Sequence, residues 1–521
     1  MSLFESVHTQ RVIGKVTMFD RMIFHGHLTS FFPRGAFKAF LSSQNVLLKD
    51  FDKYVERATG IIKANAAQVA AQAGRPFTYL QGATTKASGR SKEDLAREIA
   101  LRDGITQGLV CVFSVLENCS SFDVRGNRET QRLEVVPRRR KCLHIYFYFI
   151  DPEFGWMHVR LQTWFPFQIQ VYLNGREWLG RRLQERGIPC HRYENTFTQI
   201  SDLPAAQDLC DHFAHRDWPN VLGAFARQFN PLLAQITQAG FGDYYWTLDQ
   251  CELATDIMFR DRAALMEVFP DLYQHAILNF SAEDVLRFLG RKLRGNFQGE
   301  VTTDGKKRPE GRRVKHRCKQ NSIKMYDKDS VLRVETTINN PREFKVFRFT
   351  NEAKKTGSRR WCPLNKGVAY LWRHFQVGAA ANQRYLSALA QVQLQGEAVA
   401  ALDDLCRCRN DGGKHVARIN PVTNATCALF RAVMAGEHTL NGFRNRDLAA
   451  YLYPSPPKTL LEARRRCTRV SRIVAQLRGH GLVAKLPHSR RYRPTPFGYR
   501  VMAAALRARH VDFPAGFATA A

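Results

Sequence analysis

The stretch CLHIYFYFIDPEFGWMHVRLQTWFPFQIQVYL, residues 142–173, decides the fold. Cys142 to Ile150 is almost wholly apolar, the signature of a strand buried on both faces or central in its sheet. Asp151-Pro152-Glu153-Phe154-Gly155 turns the chain. Met157 to Trp164 and Gln168 to Leu173 then supply two more strands. Connections this short make antiparallel neighbours. Leu109 to Leu116, just upstream, reads as a further strand of the same sheet. Asn174-Gly175 breaks the run, and Arg176 to Arg186 has the pattern of a helix. Helices packed on such a sheet give an α+β layer.

Outward from this block the chain divides into six regions. Residues 1–105 are mixed, with a helical period from about Asp50 to Gln72, a polar loop at Thr84 to Arg90, and a capping box at Ser91-Lys92-Glu93-Asp94. Residues 106–200 form the antiparallel α+β sheet region. Residues 201–295 read as mainly helical, with a second capping box at Ser281-Ala282-Glu283-Asp284 opening a helix through Leu293. Residues 296–360 are a basic β segment completing the body, with strands at Ser322 to Tyr326, Val331 to Ile338 and Phe344 to Phe349. Residues 361–438 are a helical connector, and 439–510 a winged helix-turn-helix. The expected class is α+β multidomain: an antiparallel sheet with packed helices, then a helical region and a C-terminal winged helix.

Composition points to the partner. Among 521 residues, 78 Lys and Arg stand against 47 Asp and Glu, a formal net charge of +31. Such an excess is costly for a compact protein without a polyanion to meet it. With 44% hydrophobic and 11% aromatic residues the chain has ample material for cores. No run of eighteen apolar residues occurs, and the first twenty residues carry no secretory pattern. The 12 cysteines are scattered, with no Cys-x-x-Cys, which suits a reducing compartment. The cytoplasm, including its nucleoid, is the expected location. Walker A, Gly-x-Gly-x-x-Gly, His-Glu-x-x-His and Gly-x-Ser-x-Gly motifs are missing, which disfavours ATP-driven and metalloprotease chemistry.

In the C-terminal region, Leu448 and Leu452 face a core from one helix, and Val470, Ile473, Val474 and Leu477 recur at three- and four-residue steps on the next. That leaves Arg465, Arg466, Thr468, Arg469 and Arg472 outward, able to reach phosphates or guanine edges. Gly481-Leu482-Val483 enters a strand, and His488, Arg490 and Arg491 sit at a hairpin tip. The succession resembles the winged helix of MarR-like and ArsR-like regulators over roughly residues 440–508. The resemblance implies duplex DNA binding, often by a dimer, and so leaves a homodimer open. Winged helices also serve as protein docking modules.

The segment from Lys315 to Asn340 is the candidate for chemistry. On adjoining strands, Lys324 and Tyr326 share a face, as do Arg333 and Glu335. A tyrosine flanked by Lys324, Lys328 and Arg333 could act as a stabilised phenolate and attack phosphorus, with Glu335 holding Mg²⁺ or Mn²⁺. This loosely resembles rolling-circle replication initiators of plasmids and phages, although the order here is Lys-x-Tyr rather than Tyr-x-Lys. The resemblance implies a tyrosyl nucleophile and a metal-dependent nick. His144 and His158 are candidate metal ligands, and the alternative for both is a satisfied place in the sheet. His25-Gly26-His27 has the spacing of a metal motif but falls in no clear strand. The simpler reading makes the segment a basic hairpin in which Arg312, Arg313, Lys315, Arg317 and Lys319 hold phosphates and Tyr326 packs or stacks on a base. Asp249, Glu252 and Asp256 would lie along one face of a helix, to coordinate a metal or to pair with arginines.

The leading expectation is a nucleic-acid-binding protein, duplex DNA before RNA, with a winged-helix targeting domain on a larger basic body. One alternative is a metal-dependent endonuclease, nickase or replication initiator of a mobile element using Tyr326. Another is an RNA-binding component of a ribonucleoprotein.

Overall fold

The computed structural model describes residues 3–33, 35–81, 89–291, 299–308, 311–349, 359–390, 403–411, 414–436, 438, 442–487 and 489–514. Its centre is one eleven-stranded sheet. In chain order the strands are β1 (Val12–His27), β2 (Phe77–Leu80), β3 (Gly108–Asn127), β4 (Arg132–Asp151), β5 (Gly155–Gln162) and β6 (Ile169–Asn174), the outlying hairpin β7 (Cys190–Tyr193) and β8 (Thr196–Ile200), then β9 (Tyr245–Phe259), β10 (Val301–Arg308), β11 (Gly311–Cys318), β12 (Asn321–Lys328) and β13 (Val331–Ile338). A second small hairpin follows, β14 (Lys345–Phe349) with β15 (Arg359–Pro363). The sheet order is β10-β11-β12-β13-β9-β1-β6-β5-β4-β3-β2. Every pairing within it is antiparallel except β2 on β3. The architecture is α+β: sheet with packed helices, a helical region, and a C-terminal unit of helices and a small hairpin.

The strands of residues 142–173 form where the apolar runs predicted them. Both capping boxes are present, starting the helices Lys92–Arg102 and Ala282–Phe288. The second helix stops earlier than Leu293, because Gly290 takes a left-handed conformation at φ 71° that ends the turn. The helix Gly175–Glu185 occupies the space beside β1 where β6 ends, and the approach is close: a Cβ on Gly175 would lie 2.5 Å from the Phe19 carbonyl oxygen. Glycine is therefore required at that junction by its close approach to backbone.

Two readings are corrected. Residues 245–259 are a central strand, not part of a helical region. The spacing from Glu252 to Asp256 is four, which places both on one side of a helix but equally on one side of a strand. β9 is also buried on both faces over most of its length, which erases the period of two. His25-Gly26-His27 lies at the end of β1, hydrogen-bonded between β6 and β9. The polar residues and a bulge in β1 hid that strand: between Phe19 and Met22 it carries one residue more than β9 does.

The two faces of the sheet differ. One packs Val112, Phe147, Val159, Val171 and Phe24 into the main core with the helices. The helix Leu371–Leu389 lies there, its Asn382 donating to the Leu253 carbonyl at 3.0 Å and its Gly378 set against Leu253. The other face is polar along most of its width. The helix Lys92–Arg102 covers one part of it through Ala96 and Ala100, and Asn195 and Thr196 of the β7–β8 hairpin cover another through Arg333. The rest is open. No helix among the described residues is long and apolar enough to cross a membrane.

Candidate functional site

Register brings the chemistry-bearing residues to this open face. In an antiparallel pair, directly opposed residues project to the same side. Lys324 stands opposite Glu335 and Tyr326 opposite Arg333. Lys315 stands opposite Lys324, and Arg313 opposite Tyr326. Across β13, Glu252 of β9 is opposite Thr337. Farther along, His25 is opposite both Gln170 and Thr247, and His144 is opposite Gln162. The four residues Lys324, Tyr326, Arg333 and Glu335 thus share a face, as the spacing predicted.

Their partners divide them into two clusters. In the first, Lys324 Nζ is 2.6 Å from Glu335 Oε1 and 3.0 Å from Glu252 Oε1. Burial acts to lower the lysine, but Glu335 and Glu252 outweigh it and raise the ammonium above its ordinary range. Burial first, then the Glu335 charge, raises the Glu252 carboxyl. Tyr326 is pushed up to about 12, by burial and then by Glu335, and Lys328 Nζ lies 5.7 Å from its ring centre. The environment therefore favours a neutral phenol.

The second cluster is a closed ion network. Arg333 Nε is 2.9 Å from Asp256 Oδ1, and Arg176 Nη1 is 2.7 Å from Asp256 Oδ2. Arg176 Nε is 2.9 Å from Asp20 Oδ2. Arg333 Nη2 also donates to the Thr196 hydroxyl at 2.6 Å and the Asn195 carbonyl at 3.0 Å. Burial works to raise Asp256, but Arg176 and Arg333 outweigh it and hold the carboxyl at about 2. Two carboxylates and two guanidiniums cancel in charge here, so Arg333 is engaged away from any ligand on the open face.

The histidines separate. His144 Nδ1 is 3.1 Å from the Cys142 carbonyl, and its imidazole is lowered to about 4, first by burial. His158 stacks on Tyr172 with ring centres 5.0 Å apart. The partner of His144, Gln162, is four residues beyond His158 on β5, about 13 Å of strand. Glu335 is four strands away from β5, about 19 Å. His144, His158 and Glu335 do not share a centre. His25 and His27 do come together, with ring centres 4.2 Å apart. A bulge puts one extra residue into β9 between the partners of Ile23 and Phe24, and the Asp249 carboxylate meets His25 Nδ1 at 2.9 Å. His27 Nε2 is 3.2 Å from the Thr247 hydroxyl. Burial, then His25, lowers the His27 imidazole to about 4, so it is neutral near pH 7. Among the described residues no group of three or more His, Cys, Asp or Glu side chains is arranged to hold a metal ion.

Two polar clefts open on this face. One is lined by His25, Asn118, Arg139, His144, Arg160 and Gln162. The other is lined by Gln250, Glu252, Lys315, Arg317, Lys324 and Thr337. Burial, then the charges of Lys324 and Arg313, lowers Lys315, a sign of crowded cations. Arg313 pairs with Asp304 at 3.0 Å, Arg317 donates to the Lys319 carbonyl at 2.9 Å, and Lys319 is exposed at the β11–β12 turn. Arg312 belongs to the opposite face, paired with Asp327 at 3.2 Å and set over the Phe269 ring. Sequence reading overlooked Arg138-Arg139-Arg140-Lys141 on β4. Its signal was a run of four cations after Pro137.

No family model matches the chain, and no curated protein matches it. A solved structure, the di-domain ARO/CYC BexL from the BE-7585A biosynthetic pathway, is similar at 13% identity over 58% of this chain and 94% of its own, with a TM-score of 0.15.

The C-terminal unit has the helices Asn445–Leu452, Leu460–Gly479 and Pro496–Arg507 and the two-stranded hairpin Val483–Lys485 with Tyr492–Pro494, a winged-helix-like arrangement. Leu448, Val470, Val474 and Leu477 are in its core, with Ile473 packed against them. Arg465, Thr468, Arg469 and Arg472 are exposed on the second helix, and Arg490 at the hairpin. Arg466 folds back instead, pairing with Glu462 and stacking over Tyr453 at 4.8 Å. Arg491 donates to the Gly442 carbonyl at 3.0 Å. His488 lies outside the described residues.

Proposed function

We propose that the chain is a nucleic-acid-binding protein, DNA before RNA, that lays the strand across the polar face of its sheet and uses the winged-helix-like unit to engage duplex. The observation that carries this is the cleft where Lys315, Arg317 and Lys324 converge on a face left open by the helices. Phosphates are the ligands that the partly buried Lys315 ammonium and the exposed Arg317 guanidinium favour, while Lys324 beside them is held by Glu335 and Glu252. Gln250, Ser322 and Asn339 beside them supply neutral donors and acceptors. Arg138 to Lys141 and the outward arginines of the helix Leu460–Gly479 extend the basic surface. The test is binding of the full chain to labelled duplex and single strand across a salt series. Affinity falls steeply with salt, and Lys315→Glu with Arg317→Glu weakens it at least tenfold. A flat salt response together with unchanged variants defeats the proposal.

A second reading is metal-dependent strand cleavage, the activity of a nickase or replication initiator. It is favoured by His25 and His27 standing side by side on β1. Asp249 at His25 Nδ1 leaves Nε2 as the ligating nitrogen, the way carboxylates orient metal-binding imidazoles. Two imidazoles fit Mn²⁺ better than Mg²⁺. A bound ion would polarise a phosphoryl oxygen.

A further inference from the structure

The hairpin β14–β15 carries an exposed aromatic surface that neither strand binding across the sheet nor metal-dependent cleavage has used. Its two strands alternate cleanly. Val346 and Cys362 oppose each other and face inward. On the other side Phe347 opposes Trp361 with ring centres 5.6 Å apart, and Phe349 opposes Arg359, whose guanidinium lies 4.6 Å from the Phe349 ring centre. Phe347, Phe349 and Trp361 are 55%, 43% and 66% exposed. Ten residues of strand hold four cations, Lys345, Arg348, Arg359 and Arg360, and no carboxylate.

The geometry points to a stacking platform for the unpaired bases of a single-stranded nucleic acid, an inference that rests on the nucleic-acid reading above. Flat exposed rings with Lys345 and Arg359 on the same side match bases on a phosphate backbone. A duplex hides its base faces and has nothing to offer the rings. An apolar protein partner would have to strip water from the cations. The platform is also well placed. Pro363 ends β15, and three residues later the Lys366 carbonyl accepts from the Leu248 amide at 2.8 Å. Lys366 therefore lies within about 11 Å of chain from the platform, next to Thr247, Asp249 and the two histidines. A strand stacked on Phe347 and Trp361 continues onto the polar sheet face.

The test uses the full chain with four labelled probes: fifteen-nucleotide oligo-dT, oligo-rU, an abasic strand of equal length, and a fifteen-base-pair duplex. The variant Phe347→Ala with Trp361→Ala lowers affinity for oligo-dT, oligo-rU or both about tenfold, and which probe responds tells DNA from RNA. Phe347→Tyr with Trp361→Phe keeps affinity, and the alanine pair leaves duplex and abasic binding unchanged. The inference is overturned if the alanine pair binds oligo-dT and oligo-rU like the parent. It is overturned equally if all four probes weaken together, or if the pair changes only the sedimenting mass, which would mark a protein interface. A parent chain that binds none of the probes removes the nucleic-acid reading itself.

Discussion

Arg333 Nε and Asp256 Oδ1 are 2.9 Å apart, at a place where neither side chain reaches solvent. The pair is held on both sides, by Arg176 on the aspartate and by Thr196 on the arginine. Removing one partner strands a buried charge, which costs about 3–5 kcal/mol. Arg333→Ala is therefore expected to lower the urea midpoint severely. Lys315→Ala, on the open face, should stay within about 0.5 kcal/mol of the parent. Equal midpoints for Arg333→Ala and the parent would show that the network contributes nothing to folding.

The same network sets an acid limit. Asp256 titrates at about 2 in the fold, against an ordinary 3.8. A depressed carboxyl stabilises above its unfolded pKa, and that contribution is lost as pH falls through the folded value. The window is pH 4 to 2, and the contribution is of the order of 2 kcal/mol. Urea midpoints should fall with pH across that window. In Asp256→Asn, which starts from a lower midpoint, this part of the fall should be missing. An unchanged acid limb in the variant would place the titration elsewhere.

The contrast between these residues shows what could be read ahead of the structure. Lys324, Tyr326, Arg333 and Glu335 lie within twelve residues, so strand alternation and one short turn placed them on a single face. Asp20 and Asp256 pair with Arg333, and Arg176 pairs with both aspartates; the three come from distant segments, and no local pattern links them. The apolar run of residues 142–150 announced its strand because water excludes it from both sides. β1 and β9 are equally central but carry charged residues that pair inside, and each has a bulge that breaks the period. In sequence alone, His25 and His27 therefore read as a motif without a strand, and Asp249 reads as helical. Arg466 illustrates a subtler limit: helical periodicity put it outward, while Tyr453 and Glu462 draw it back.

That difference among arginines makes the winged-helix-like unit testable. Arg469→Ala with Arg472→Ala removes two exposed cations and should weaken duplex binding by the full chain. The slope of log affinity against log salt should shrink by about 0.9 for each phosphate that is no longer neutralised. Arg466→Ala should instead cost stability, about 1 kcal/mol through its lost packing on Tyr453, with little change in affinity. The reverse assignment, an unaltered salt slope in the double variant and a large change in Arg466→Ala, would refute the orientation.

If the chain cuts DNA, the structure separates two centres that could do it. Burial, then the Glu335 charge, raises the Tyr326 phenol to about 12, so ionising it near neutrality is unfavourable by several powers of ten. His25 and His27 are the paired imidazoles, and Asp249 fixes one of them. Nicking of supercoiled DNA with Mn²⁺ is the measurement. Tyr326→Phe should retain the parent rate within about twofold, whereas His27→Ala should lose at least tenfold, a scale set by disturbed metal sites. Circular dichroism of each variant controls for folding. Loss of nicking in Tyr326→Phe with full activity in His27→Ala would move the chemistry back to the β12–β13 face. It would require a proton acceptor there strong enough to offset the burial of the phenol.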